Sequence, residues 1–345
     1  MLKPCRSSDS TPEFNAERSL ANLSRGVETC LVLDLNILNH IKNYQQISAV
    51  ERSPQLLGDV AAIKKILCTP GLFLAPGFAI GEADEKYLDE LSHSYEEFLS
   101  AELSGYADAP NAIPIGRDRR RSRQFKSLSD DDRLVFALAH LALLKVHDIL
   151  LFEKALSPEA KFDMYLEYMD GVANIVPGIE TEVAKHCFFK PAASDRDNFL
   201  GRSEAIRDNF NKGGRGEKRV DRILNGARDV MLIRTAAAKD GKALDGKIQD
   251  TWLLTTDVGL AALCSSIYFF PADGERAKFT RTVEAPYRVK NSYWRYVDKA
   301  SHYVLSRRTN DRLRMHVDDT TKLLHNLRNL AQALDERLAR QTVAF

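Results

Sequence analysis

The sequence lacks the features that mark secreted, membrane or nucleotide-binding proteins. Its five cysteines are scattered, and no two have a CxxC spacing, so neither a zinc site nor a disulfide framework is indicated. The first twenty residues are polar, and no apolar run has the length expected of a signal peptide or a membrane span. The glycines at 213–216 are not followed by the Lys-Ser/Thr pair of a P-loop. We therefore expect a cytoplasmic protein without a membrane segment.

Net charge indicates no class of partner, because 49 Lys and Arg are balanced by 48 Asp and Glu in 345 residues. The distribution is more informative, since residues 276–345 contain 15 Lys or Arg and 7 Asp or Glu, a net charge of +8. Hydrophobic residues make up 44% of the chain, which is enough for a globular core. The length suits one elaborated domain or two ordinary ones.

Two apolar stretches end in a carboxylate. Residues 31–33 lead into Asp34, and residues 252–254 lead through two threonines into Asp257. A helix is expected to begin directly after each acid. Because the carboxyl ends of parallel strands meet at one edge of a sheet, we expect Asp34 and Asp257 to lie close together. Taken alone, Asp34 is equally typical of a helix N-cap, and the second strand is what favours a ligand.

Two more acids are candidates for the same edge. Glu82 falls in a helix predicted over residues 78–99, after a short strand at 72–75, and Asp229 falls in a helix predicted over 220–238. If both helices begin at this edge, up to four carboxylates meet there and repel one another unless a divalent cation binds them. Oxygen ligands favour Mg²⁺ or Mn²⁺ over zinc. A solvated helix surface is the plainer interpretation of both acids, and Asp250 is an alternative third ligand.

Two polar residues accompany these acids. The side-chain amide of Asn36 is placed to hold Asp34, and the hydroxyl of Thr256 is placed to hydrogen-bond a ligand, a phosphate or a neighbouring acid.

These segments together resemble the PIN domain family, whose members are mostly metal-dependent ribonucleases with a Rossmann-like parallel sheet. The resemblance rests on residues 32–38, on Glu82 in a helix after the second strand, and on residues 229–236 and 253–260. It implies that four acids are the catalytic, metal-binding positions and that Asn36 is the polar position beside the first acid. These four acids are Asp34, Glu82, Asp229 and Asp257.

A compact PIN domain is much shorter than this chain, and Glu82 and Asp229 lie 147 positions apart (229 − 82). We therefore predict an α/β fold with a PIN-like parallel sheet flanked by helices, a helical insertion and a basic, helical C-terminal extension. The predicted PIN-like parts are 26–100 and 219–275, the insertion is 101–218, and the extension is 276–345. Residues 1–25 are expected to be a loose lead-in, and residues 190–218 a flexible connection.

The resemblance implies a Mg²⁺- or Mn²⁺-dependent endoribonuclease that hydrolyses phosphodiester bonds in RNA, with single-stranded DNA as an alternative substrate. A bacterial toxin or defence effector, silenced by an inhibitor or antitoxin protein, is a role often found among PIN-like ribonucleases. The alternative is a catalytically inactive PIN-like module that binds nucleic acid or protein. The amphipathic segment at 320–340 is a candidate contact for a homo-oligomer, although packing within the chain is its default role.

Basic and aromatic residues supply candidate contacts to nucleic acid. An arginine-rich segment is suited to phosphate contacts, with a solvated loop as the equally plausible interpretation. Tyr293, Trp294 and Tyr296 are suited to base stacking, although packing onto the main domain is the favoured interpretation. The arginines are Arg117, Arg119, Arg120, Arg121 and Arg123.

Overall fold

The computed structural model describes residues 1–4, 12–83, 85–103, 130–192, 196–244, 246–271, 278–283, 285–312 and 320–340. Contacts between residues divide them into two compact units. The described part of the first unit is 1–4, 12–83, 85–103, 232–244 and 246–257. The second unit contains the described residues of 130–231 and of 258–340. This division differs from the predicted one, because residues 219–231 and 258–271, predicted as PIN-like, belong to the second unit.

The first unit is built on a four-stranded sheet with the strand order β2-β1-β4-β3. Its strands are β1 (Val27–Leu33), β2 (Leu72–Ala75), β3 (Ala243–Leu244) and β4 (Lys247–Leu254). Strand β1 pairs in parallel with both β2 and β4, and β3 adds an antiparallel edge to β4. Six of the seven β1 residues are buried, as expected of a central strand with both faces covered.

Helices accompany this sheet, and two of them begin at a side-chain cap. Asn15 caps α1 by accepting a hydrogen bond from the Arg18 N–H, and Ser53 caps α3, which has Pro54 at its first position. Helix α2 follows β1 directly. The helices are α1 (Ala16–Ser24), α2 (Leu35–Gln46), α3 (Pro54–Leu67), α4 (Gly77–Glu82) and α5 (Leu88–Glu102).

Two expectations for this unit are wrong. The helix predicted over 78–99 is interrupted, because α4 ends at Glu82, a 3₁₀ turn follows at Glu85–Tyr87, and α5 begins at Leu88. The predicted loose lead-in contains α1, and Leu2 exchanges two backbone hydrogen bonds with Leu253 of β4. Polar contacts hold α1 in place, because Arg18 and Asn22 donate to Asp250 and the Ser19 hydroxyl donates to the Pro70 carbonyl oxygen.

The second unit is mainly helical. In chain order its helices are α6 (Asp130–Phe152), α7 (Pro158–Glu167), α8 (Gly178–Phe188), α9 (Asn198–Phe210), α10 (Glu217–Lys239, counted here to Met231), α11 (Val258–Ser266), α12 (Pro286–Lys290), α13 (Ser292–Arg312) and α14 (Thr320–Ala339). Helix α9 lies in the predicted flexible connection, where Asp197 caps it by accepting a hydrogen bond from the Phe199 N–H. That expectation is therefore wrong.

Helix α6 corrects the expectation that no segment is long enough to span a membrane. Residues Arg133–Phe152 have a mean hydropathy of 1.9, and length and composition alone would allow them to cross a bilayer. However, 61% of the most apolar window is buried within the protein, as in the core helix of a globular fold. It packs against α8 and α14.

Strand β5 (Ile267–Pro271) forms where a strand was expected, but it pairs antiparallel with β6 (Lys278–Thr282) in a separate two-stranded sheet. Helices α9 and α11 approach closely, because a Cβ on Gly259 would lie 2.4 Å from the Cβ of Asn209 and 2.6 Å from the carbonyl oxygen of Ala205. Only glycine fits at position 259.

Candidate functional site

Asp34 lies where β1 ends and α2 begins. The register pairs Leu33 with Leu254, so β1 and β4 end side by side, and the Asp34 N–H donates to the Leu254 carbonyl oxygen at 3.0 Å. Asp34 occupies the N-cap position of α2, yet its side chain makes no capping hydrogen bond. Only 3% of the residue is exposed. The carboxylate therefore points to other partners, and capping does not explain it.

Two neutral side chains donate to the same carboxylate oxygen. The Thr255 hydroxyl lies 2.5 Å from Asp34 Oδ2, and the Asn36 amide nitrogen lies 3.2 Å from it. The expected contact of Asn36 with Asp34 is present. The Thr255 hydroxyl also accepts from the Asp257 N–H at 2.9 Å, which fixes the turn that carries Asp257.

Burial is the main reason that the pKa of Asp34 is raised above its usual value. The hydrogen bonds from Thr255 and Asn36 oppose this rise, while the negative charge of Asp257 adds to it. Asp34 and Asp257 are therefore close enough to repel each other, as the two matching strand ends predict. A cation bound here would relieve both the burial and the repulsion.

The hydroxyl that holds Asp34 is that of Thr255, whereas the sequence analysis favoured Thr256. Thr256 is exposed, and its hydroxyl oxygen lies 3.5 Å from His40 Nε2. His40 Nδ1 in turn lies 3.8 Å from a carboxylate oxygen of Asp59 on α3. The position of His40 was detectable from the sequence, because it stands four positions after Asn36 and so shares its helix face.

Glu82 is the last residue of α4 and is half-buried. Helix α4 has only six residues, so Glu82 lies within two turns of its start as well as at its end. Helix α4 packs against both α2 and β1. Within the described ranges, no group of three or more His, Cys, Asp or Glu side chains is close enough to hold a metal ion. Among the described residues, the electrostatic effect of Asp257 on Asp34 is what associates these two acids.

Asp229 lies in the second unit, in the middle of α10 and not near its start as expected. Its carboxylate accepts a hydrogen bond of 3.1 Å from the Asn209 side chain on α9. Asn209 is the residue against which Gly259 packs, so a close approach of two helices supports the donor that holds Asp229.

Asp250 does not fit the alternative role of third ligand. It pairs with Thr29 in the sheet, four residues before the end of β4, which is about 13 Å along the strand. Its carboxylate accepts hydrogen bonds from Lys3 at 2.6 Å, Arg18 at 3.0 Å and Asn22 at 2.7 Å. Arg18 and Lys3 hold the pKa of Asp250 well below its usual value against the opposing effect of burial. This acid attaches the N-terminal segment and α1 to the sheet.

The residues predicted to contact nucleic acid differ in where they lie and how exposed they are. All five arginines of the segment 117–123 lie outside the described residues. Tyr293 and Trp294 are buried, so they pack within the fold, as the favoured interpretation expects. Tyr296 is 44% exposed.

No family model, no curated protein and no solved structure matches this chain. The PIN resemblance therefore remains a prediction that rests on the residues quoted for it.

Proposed function

We propose that this protein is a Mg²⁺- or Mn²⁺-dependent phosphodiesterase of PIN type, an endoribonuclease that works in the cytoplasm. The observation that supports this most directly is the buried carboxylate of Asp34 at the carboxyl end of a parallel strand. Ligands of open α/β sheets bind at such edges. Its neutral hydrogen-bond donors and the neighbouring charge of Asp257 raise the affinity expected for a hard cation.

The donor groups fit such an ion. Mg²⁺ in proteins is typically held by one or two carboxylates, with water and substrate phosphate completing the shell, and Asp34 with Asp257 supplies that number. When bound, the ion supplies charge neutralisation at the phosphodiester and a water acidic enough to attack it. We propose Glu82, whose helix α4 packs against α2 and β1, as a further acidic position, which a second ion would require.

The chain's own residues orient this site. Thr255 holds Asp34 through its hydroxyl and the Asp257 backbone through its oxygen, so one side chain sets the positions of both acids. Asn36 fixes the same carboxylate oxygen from the first turn of α2. Because both hydrogen bonds go to Oδ2 of Asp34, they limit rotation of its side chain. The second carboxylate oxygen, Oδ1, is then held in one position for a ligand.

A second candidate is a PIN-like module that binds nucleic acid or protein without metal. It is favoured by the finding that, in the described part of the chain, no third acid joins Asp34 and Asp257. Thermal unfolding distinguishes the two, since a bound cation raises the melting temperature and a module without a site is unaffected by Mn²⁺.

Cleavage of labelled RNA, single-stranded DNA and duplex DNA, each with Mn²⁺ or EDTA, tests the proposal. We expect RNA to be cut with Mn²⁺ only, and Asp34→Asn with Asp257→Asn to lower the rate by roughly 10²-fold or more. Asp208→Asn, a change at a 68% exposed side chain on α9, is the matched control and should leave the rate unchanged. Full cleavage by the double variant would refute the mechanism.

The biological setting remains part of the same proposal. A toxin or defence role, with an inhibitor or antitoxin protein that silences cleavage, rests on fold-level analogy. A homo-oligomer through α14 is the corresponding proposal for assembly.

A further inference from the structure

The outward surface of α13 carries alternating basic and aromatic side chains. We call it the α13 stripe, and it consists of Arg295, Tyr296, Lys299, His302 and Tyr303. All five are exposed, and their spacing of three and four residues places them on one face of the helix. Tyr303 is 67% exposed, so its ring is accessible to a ligand.

The inner surface of α13 fixes which residues face outward. Trp294 and Val297 are fully buried, and the Tyr293 hydroxyl donates to the Lys185 carbonyl oxygen of α8 at 2.6 Å. The Arg288 guanidinium lies 4.2 Å from the centre of the Trp294 ring. The stripe is therefore the outer side of a helix that is firmly packed on its other side.

The charge of the stripe is positive. Asp298, the acid nearest to it on α13, is turned to the other side, where it forms ion pairs with Lys185 and Arg288. Arg295 and Lys299 form no ion pair with another described residue. These two cations therefore remain available to a ligand.

The neighbouring helix α7 contributes acids that are already engaged. The Tyr296 hydroxyl donates to Asp163 at 2.6 Å, which holds the Tyr296 ring in place. Asp170, in the π-helical segment that follows α7, pairs with Arg307 and Arg308. Arg307 and Arg308 neutralise Asp170, whereas Asp163 and Glu159 place negative charge beside Tyr296. The positive charge of the stripe therefore lies at Arg295 and Lys299.

We propose that the α13 stripe binds single-stranded RNA, with bases stacked on Tyr303 and Tyr296 and phosphates at Arg295 and Lys299. Arginine or lysine beside exposed aromatic rings is the combination that binds unpaired strands. Side chains on a convex helix cannot reach bases stacked inside a duplex, whereas unpaired bases are accessible. The choice of RNA over DNA rests on the proposed function, whereas the argument for a single-strand-binding surface does not. Its length from Arg295 to Tyr303 is about 12 Å, which accommodates a short stretch of extended strand.

Fluorescence anisotropy with a short labelled uridine-rich RNA, measured in EDTA over a series of salt concentrations, tests this proposal without catalysis. We expect the wild-type chain to bind the single strand more tightly than an RNA duplex. Tyr303→Ala should weaken binding about tenfold, and Tyr303→Phe, which keeps the ring, should stay within about twofold of wild type. Lys299→Gln should lower the slope of log affinity against log salt by about 0.7, and Lys65→Gln, at an exposed position on α3, should not.

Three results would overturn the proposal: no binding of the single strand, equal binding by Tyr303→Ala, or an acidic polypeptide that competes with the same dependence on Tyr303. The last would identify a protein-docking surface. All the changed side chains are exposed, so we expect each variant to fold, and melting curves check this. Binding in EDTA without cleavage in Mn²⁺ would refute the proposed function alone, and cleavage with unaltered binding by the stripe variants would refute this inference alone.

Discussion

Asp34 and Asp250 belong to the same parallel sheet and are almost equally buried, with 3% and 7% of each residue exposed, yet their environments are opposite. Asp250 is surrounded by donors that include Lys3 and Arg18, and its pKa is lowered. Asp34 has neutral donors and a neighbouring acid, and its pKa is raised. Burial by itself therefore does not separate a structural acid from a functional one. The charge of the partners does.

Glu182 in the second unit repeats the arrangement at Asp250. It is 2% exposed, and its carboxylate lies within ion-pair distance of Arg288 and Lys185 and hydrogen-bonds His186. Burial favours the neutral acid, but the Arg288 and Lys185 charges lower the pKa of Glu182 well below its usual value. Both acids stabilise their unit, whereas burial of the Asp34 carboxylate beside Asp257 lowers stability.

Removal of the cation beside Glu182 should have the largest effect on stability. Arg288→Met removes the closer of the two cations from a buried carboxylate and leaves only Lys185 at 3.5 Å, so we expect the free energy of unfolding to fall by about 3 kcal/mol in urea denaturation. Arg288→Met combined with Glu182→Gln should recover a large part of the loss, because no unpaired charge then remains. A loss below about 1 kcal/mol in the single variant would contradict the conclusion that Arg288 stabilises the buried Glu182 carboxylate.

The next largest effect is expected at Asp250. Asp250→Asn should lower stability by about 3 kcal/mol, since Lys3 and Arg18 lose their shared partner. The folded pKa of Asp250 is depressed, so its contribution is complete above the unfolded pKa near 4 and is lost as the pH falls below it. Urea midpoints measured from about pH 5 to pH 2 should fall steeply for wild type and more gently for Asp250→Asn. Equal slopes would argue against the ion pairs as the cause.

A buried histidine gives a smaller effect in a different pH range. Burial lowers the pKa of His147 to about 4, while its Nε2 donates to the Phe210 carbonyl oxygen at 2.8 Å. Because the unfolded chain takes up a proton near pH 6.5 and the folded chain does not, stability should fall by about 2–3 kcal/mol between about pH 6.5 and pH 4. His147→Gln keeps a donor and does not titrate, so its melting temperature should depend less on pH in that range. A variant with the wild-type pH profile would show that other groups cause the loss.

The smallest and most discriminating effect is expected at Asp34. With EDTA at pH 7–8, Asp34→Asn should raise the free energy of unfolding by about 1 kcal/mol, because it removes a buried charge beside Asp257 and keeps an oxygen for Thr255. The gain should shrink as the pH falls and the wild-type carboxylate takes up its proton. Differential scanning calorimetry of both proteins, from pH 8 to lower pH, measures this gain in stability. A destabilised Asp34→Asn would place Asp34 with Asp250 among the structural acids.

The sequence predicted the central features of the sheet because they depend on local patterns. The apolar run before Asp34 and the matching run before Asp257 predict two strands, and these strands end side by side in the sheet. The contact of Asn36 with Asp34 follows from their spacing of two residues. Strand β2 is found at the predicted residues.

Features that depend on distant partners were not predictable in the same way. Asp250 and Asp257 flank the same segment, 251–256, so the sequence alone does not distinguish their roles. The structural role of Asp250 comes from its ion pair with Lys3, more than two hundred positions away. The break after Glu82 likewise depends on packing, whereas α9 has a local signal in its Asp197 cap that the charged surroundings obscured. The choice of Thr255 over Thr256 depends on the direction in which the chain leaves β4.

Gly259 has a consequence that extends beyond its own helix. An alanine there would collide with Asn209 and with the Ala205 carbonyl oxygen, so α9 and α11 would have to separate. Asn209 would then move away from Asp229, to which it donates. A residue with no functional group thus determines whether a distant carboxylate keeps its hydrogen bond, and a damaging substitution at this glycine would be mistaken for a defect in chemistry.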